Sequence, residues 1–151
     1  MTPIKAKGYA EAMDIVMADP YPIPRRTVRS VGDVTKGLYQ EFYPEKPVWI
    51  VPQAFGGNEW WTREPTSEEI RVMTYLSIIN GSKGIQYFIR HGMNSFPKSV
   101  VAWNECGKIS LEIAELTPAL FSTEIAPVIS CTDSSIQLKA FRFRNEITVL
   151  A

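Results

Sequence analysis

Three short apolar runs in this chain each end in a cluster of polar or aromatic side chains. "MDIVMADPYP" delivers Asp19 and Tyr21. "PVWIVPQAFGGNEWWTRE" delivers Gln53, then Glu59, Trp60, Trp61 and Arg63. "GIQYFIRHGMN" carries Tyr87 and continues into Arg90, His91 and Asn94. Carboxylates, an amide and guanidinium groups beside flat aromatic faces are the mixture that a sugar demands. Ring hydroxyls take bidentate polar partners, and the C–H faces of the ring pack on tryptophan. A phosphate-bearing cofactor would instead ask for a glycine-rich turn at a helix N-terminus. Gly56 and Gly57 are too little for that and lie well before the next helix start. No cofactor is expected.

The elements that must position these groups are legible as a rhythm. A short buried strand is expected over about 13–18, and the prolines at 20, 22 and 24 hold the next segment extended. Val28, Val31, Val34, Leu38 and Phe42 recur at helical spacing, an amphipathic helix weakened by Gly32 and Gly37. "PVWIV" is the second strand. Thr66 and Glu69 form a capping box that opens a helix to about Asn80, with Gly81 as its stop. "GIQYFI" is the third strand and "RHGMNSFPKS" a loop; a helix follows over roughly 108–120, or from an earlier start. After Phe121 the style changes to short β-like runs, and "FRFRNEITVL" reads as a hairpin turning at Arg144-Asn145. Apolar strands alternating with helices predict a parallel sheet covered on both faces. Such folds keep their chemistry at the C-terminal ends of the strands, where all three clusters fall.

Composition narrows the partners. The 151 residues suggest one domain, or one domain and a piece of another. Sixteen basic and sixteen acidic residues cancel, so nothing pulls the chain toward nucleic acid or an anionic membrane. The one local excess of positive charge, Arg25, Arg26 and Arg29, reads as a solvated loop. Cys106 and Cys131 make neither a disulfide framework nor a metal spacing, and with His91 as the single histidine no metal site is expected. No apolar run is long enough to span a bilayer, and "MTPIKAKGYAEAM" lacks the apolar core of a signal peptide.

"DIVMADPYPIP", "KPVWIVPQAFGG" and "REPTSEEIRVMTYLSIINGSKGIQYF" resemble the last three βα units of a glycoside-hydrolase-type (β/α)8 barrel, over about residues 9–121. The fold this resemblance implies is α/β, a partial TIM barrel equivalent to strands six to eight. It would occupy 1–122, with 123–151 a β-rich segment that resembles the start of a β-sandwich domain. A whole barrel takes about 250 residues. The chain would therefore lack strands one to five, and its open edges would associate with the missing barrel portion or with another copy. The implied activity is cleavage of glycosidic bonds by a pair of carboxylates. Many retaining members carry a nucleophilic Glu at the end of strand seven, where this sequence has Gln53. The usual acid/base Glu would lie upstream of Met1. Asp19, Glu59 and Glu64 are the carboxylates present, with Asp19 and Glu59 the catalytic candidates. Tyr21, Gln53, Trp60, Trp61, Arg63, Tyr87 and His91 are the substrate-binding candidates. The protein would be secreted or at the cell surface if upstream sequence carries a signal peptide.

Structural roles compete for the same residues. Gln53 could cap a buried strand end, and Asp19 could cap its own loop. Trp60 and Trp61, adjacent in an extended loop, point different ways, one onto the scaffold and one to the cleft. Trp49 and Trp103 read as core. Arg63 and Glu64 could anchor the loop as an ion pair, and a lone His91 is more often structural. Lys36, Glu41, Glu45 and Lys46 form a solvated helix face. Two other functions stand beside hydrolysis. One is a non-catalytic carbohydrate-binding or structural remnant, which Gln53 favours. The other is a small α/β domain that binds a metabolite, against which the absent phosphate loop and the β tail argue.

Overall fold

The computed structural model describes residues 7–57, 60–89 and 100–151. The chain divides into two compact units, Met1–Cys106 and Gly107–Ala151. The first holds strands β1 (Val16–Ala18), β2 (Val48–Ile50) and β3 (Gly84–Ile85) and helices α1 (Arg29–Phe42) and α2 (Ser67–Ile79). Helix α3 (Val100–Leu120) begins in the first unit and ends in the second.

The strands form one parallel sheet in the order β1-β2-β3. Val16 pairs with Val48, Met17 with Trp49, and Ile50 with Ile85. Alternation sends Val16, Val48 and Ile50 to one face, and all three are buried. Helix α1 covers β1 and β2 on that face and packs against α2. Its buried stripe is Val31, Leu38 and Phe42, and Thr35, between them, donates its hydroxyl to the Val31 carbonyl at 2.7 Å. From α2 come Ile70 and Met73, both fully buried. Burying each such side chain contributes about 1.5–3 kcal/mol. Helix α2 starts where its capping box requires. Thr66 Oγ1 accepts from the Glu69 amide at 3.2 Å, and Glu69 returns the bond to the Thr66 amide at 2.9 Å.

The expected partial (β/α)8 barrel is overturned. The described residues hold three helices, one three-stranded parallel sheet and one two-stranded antiparallel sheet: an α/β fold without the eight-strand pattern. The strands are three, three and two residues long, and β1 and β3 are edges. A strand-helix rhythm specifies parallel pairing, because only a crossover joins parallel neighbours. It does not specify closure, which needs matched strand number, tilt and stagger around a whole ring. Among the described residues the second sheet face is less fully covered than expected. Met17, on the face away from the helices, is 46% exposed. Half-buried Trp49 lies on that face over Gly84, where an added Cβ would come within 2.5 Å of the indole. Trp103, expected in the core, is 58% exposed on α3.

The second unit holds the hairpin of β4 (Lys139–Phe143) and β5 (Glu146–Leu150), in register from Lys139↔Leu150 to Phe143↔Glu146. It turns at Arg144 (φ 50°) and Asn145 (φ 66°). Two consecutive left-handed residues give the turn whose twist matches that of antiparallel strands. The Arg144 amide donates to Glu124 Oε1 at 2.8 Å, and Glu124 also bridges to Arg142 beside β4.

Candidate functional site

The segment after β2 turns its polar residue inward. Gln53 is fully buried. Its Oε1 accepts from the Ile23 amide at 3.0 Å, while its Nε2 donates to the Ile23 carbonyl and to the Phe55 carbonyl, each at 3.0 Å. Both amide protons are taken by backbone oxygens. A carboxylate at this position would set its charge against two carbonyls with no proton to give them. The side chain thus ties the segment after β1 to the segment after β2.

Four aromatic rings close over that tie. Tyr21 meets Phe55 edge-on at 4.9 Å between centroids and Trp61 at 5.8 Å, and Phe55 meets Trp61 and Phe88 at 5.1 Å each. Edge-to-face pairs of this kind add about 0.5–1.5 kcal/mol beyond their burial. Trp61 also donates its indole N–H to the Tyr21 carbonyl at 3.4 Å. Trp60 turns the other way. It is 63% exposed, and the Arg25 guanidinium lies 5.5 Å from its ring centroid.

The rest of the segment is fastened to α2. Arg63 meets Glu69 through two parallel bonds of 2.7 and 2.8 Å and donates a third to the Glu64 carbonyl at 3.0 Å. Its carboxylate partner is therefore Glu69 rather than Glu64. Arg63, first of all, holds the Glu69 carboxyl below the usual carboxylate range. Gly56 lets the backbone of Arg63 pass, since a Cβ there would come within 2.2 Å of the Arg63 carbonyl.

Tyr87 faces α2. Its hydroxyl lies 2.9 Å from Thr74 Oγ1, which donates onward to the Ile70 carbonyl, so the phenol is the donor. Burial is the main cause that pushes its pKa up. Nearby on α3, Glu105 is buried and paired with Arg71 at 2.9–3.0 Å. The Cys106 thiol is pushed up to about 12, by burial and then by Glu105. A thiol held protonated in that way is a packing group rather than a nucleophile.

A different arrangement lies at the end of β1. A cavity of about 240 Å³ is lined there by Asp19, Tyr21, Arg26 and Ser30. The Tyr21 phenol is pushed up to about 12, first by burial and then by the neighbouring Asp19 carboxylate. The Arg26 amide donates to the Pro22 carbonyl at 2.7 Å, which fixes the loop backbone. Its guanidinium enters no ion pair among the described residues, including with Asp19. Ser30, in the first turn of α1, donates its hydroxyl to the Thr27 carbonyl at 2.8 Å and keeps acceptor capacity.

The structure thus brings Asp19 and Tyr21 together at one cavity. Trp61 joins Tyr21 from the aromatic side, and Trp60 stands near through Arg25, the neighbour of Arg26. Gln53, Arg63 and Tyr87 are engaged elsewhere. Glu59 and His91 lie outside the described residues. Arg26 and Ser30 are the cavity residues that the sequence reading missed. Their signal was the Arg25, Arg26 and Arg29 cluster, set aside as a solvated loop. Among the described residues no three His, Cys, Asp or Glu side chains group to hold a metal, and no helix is long and apolar enough to cross a membrane. Compared with protein-family models, curated proteins and solved structures, the chain matches none.

Proposed function

We propose that the chain binds carbohydrate, without cleaving it, at the end of β1. The observation that carries this reading is the cavity. It combines a carboxylate (Asp19), a guanidinium (Arg26), a hydroxyl (Ser30) and a phenol (Tyr21), and the exposed ring of Trp60 stacks against Arg25, one position along the chain from Arg26. Vicinal hydroxyls suit a carboxylate or guanidinium that presents two hydrogen-bonding atoms. Trp60 offers a flat apolar surface for a ring face. At about 240 Å³ the space equals roughly eight waters at ~30 Å³ each, which suits a single sugar ring rather than a chain. Hydrolysis has less support. It takes two carboxylates about 5–9.5 Å apart, and among the described residues Asp19 is the one carboxylate that lines the cavity. Gln53 is committed to the backbone.

Titration of the chain with mono- and disaccharides, read by tryptophan fluorescence, tests the proposal. Saturable quenching that Asp19→Ala removes supports it, together with no release of sugar from aryl glycosides. Turnover of an aryl glycoside that Asp19→Asn abolishes would replace it with the hydrolytic reading.

A further inference from the structure

We infer that the cavity at the end of β1 selects an acidic sugar, a uronic acid whose carboxylate is held by Arg26. The inference rests on the carbohydrate reading above and adds the class of sugar.

The first argument is that the cavity's two opposite charges do not neutralise each other. Asp19 and Arg26 line the same space of about 240 Å³ yet form no ion pair. Asp19 has the Tyr21 phenol beside it in the same lining. Arg26 has no such partner among the described residues. A planar guanidinium that enters no ion pair among the described residues, on a loop whose backbone is pinned, fits a carboxylate through two parallel bonds.

The second argument is the surrounding charge. Between residues 19 and 30 the side chains supply three guanidiniums, from Arg25, Arg26 and Arg29, against the single carboxylate of Asp19. The chain as a whole is neutral, so this is a local field. Ser30, which lines the cavity, sits in the first turn of α1, and the positive end of that helix adds in the same direction. The Asp19 carboxylate and the Ser30 oxygen remain for ring hydroxyls.

A carboxylate is favoured over a phosphate by what the backbone lacks. Phosphate sites at helix starts use free amide protons. Here the Ser30 and Val31 amides already donate to the Thr27 and Val28 carbonyls at 3.1 and 3.0 Å. The Ser30 and Val31 amides are thus not free to cradle a tetrahedral anion, whereas the fork of Arg26 suits a planar one.

Calorimetry on the full chain decides the matter, with D-glucuronate and D-galacturonate against D-glucose and D-galactose, at low and moderate salt. The acidic sugars should bind about tenfold more tightly than their neutral parents, as one charge-assisted pair predicts. That margin should shrink as salt rises. Arg26→Gln should remove the margin. Arg26 is exposed, so the variant should keep the wild-type urea midpoint, which shows that the loss is not unfolding. Equal affinity for acidic and neutral sugars would overturn the inference and leave the carbohydrate reading intact. A margin that survives Arg26→Gln would also overturn it. Binding of none of the four sugars overturns the inference and the carbohydrate reading together. Binding of glucose 6-phosphate in preference to glucuronate would replace carboxylate by phosphate as the anion.

Discussion

The segments that follow β1 and β2 start alike and end differently. Each leaves a parallel strand with a polar residue within three positions of the strand end, Asp19 after Ala18 and Gln53 after Ile50, and each carries aromatic rings. After β2 the polar groups turn inward: Gln53 binds backbone on both segments, and Arg63 clamps the loop to Glu69 on α2. After β1 they turn outward: Asp19 and Arg26 line a cavity and do not pair. Position after a strand therefore does not make a residue functional. What separates the two segments is whether the hydrogen-bonding atoms are already used by the fold.

Four experiments would break or sharpen this contrast. The largest effect belongs to Gln53. Gln53→Ala leaves the Ile23 amide, the Ile23 carbonyl and the Phe55 carbonyl without partners in a buried place. At about 1–3 kcal/mol for each unmet group the variant should lose roughly 3–5 kcal/mol in a urea titration. Gln53→Glu would keep the shape and set a carboxyl against two carbonyls. Its neutral form is favoured in the fold, so its folded-state pKa is raised. The variant should be most stable below the ordinary carboxylate pKa of about 4.3 and lose stability as pH rises. A Gln53→Glu protein as stable as wild type at pH 7 would undo the assignment of the second segment as scaffold.

Gly56→Ala comes next. The new methyl would collide with the Arg63 backbone, and forced repacking of that kind costs about 1–3 kcal/mol. The same urea midpoint reads it.

A smaller effect concerns Tyr21. Its phenol is raised to about 12, so its contribution to stability is full up to about pH 10 and falls as pH rises toward 12. Asp19→Asn removes the neighbouring charge but leaves the burial. Tyr21 should then ionise between 10 and 12 in an ultraviolet titration; an unchanged midpoint would separate Asp19 from Tyr21. The smallest effect on stability belongs to Trp60→Ala. An exposed ring on the working side should change the urea midpoint by no more than about 0.5 kcal/mol while it weakens sugar binding. A larger loss of stability would place Trp60 with the scaffold.

Local chemistry was the part of the fold most open to reading from sequence. The Thr66–Glu69 capping box and the Arg144-Asn145 turn depend on residues within a few positions of each other, and both are present. The parallel pairing of the strands follows from the rhythm of apolar run and helix. Closure did not, because nothing in three units states how many strands a sheet has or whether its second face meets anything. The partners of Gln53 at Ile23 are thirty positions away. The sequence shows an amide at a strand end and cannot show that its protons are taken. Arg26 was visible, and that it forms no ion pair with Asp19 was not, for the same reason. Trp103 misled because a large ring is usually buried, and its helix turns it outward.

Gln53 presents an acceptor and a donor to the two backbone groups of one residue, as a neighbouring strand would. Ile23 lies in no strand, yet its amide hydrogen is held in a fully enclosed bond. Opening that bond requires the side chain behind it to move, and with it the packing around Phe55. The Ile23 hydrogen should therefore exchange with heavy water as slowly as those of β2, surrounded by loop neighbours that exchange quickly. An Ile23 amide as slow as those of β2, and slower than the backbone-bonded amide of exposed Arg26, would be the kinetic signature of a side chain acting as a strand.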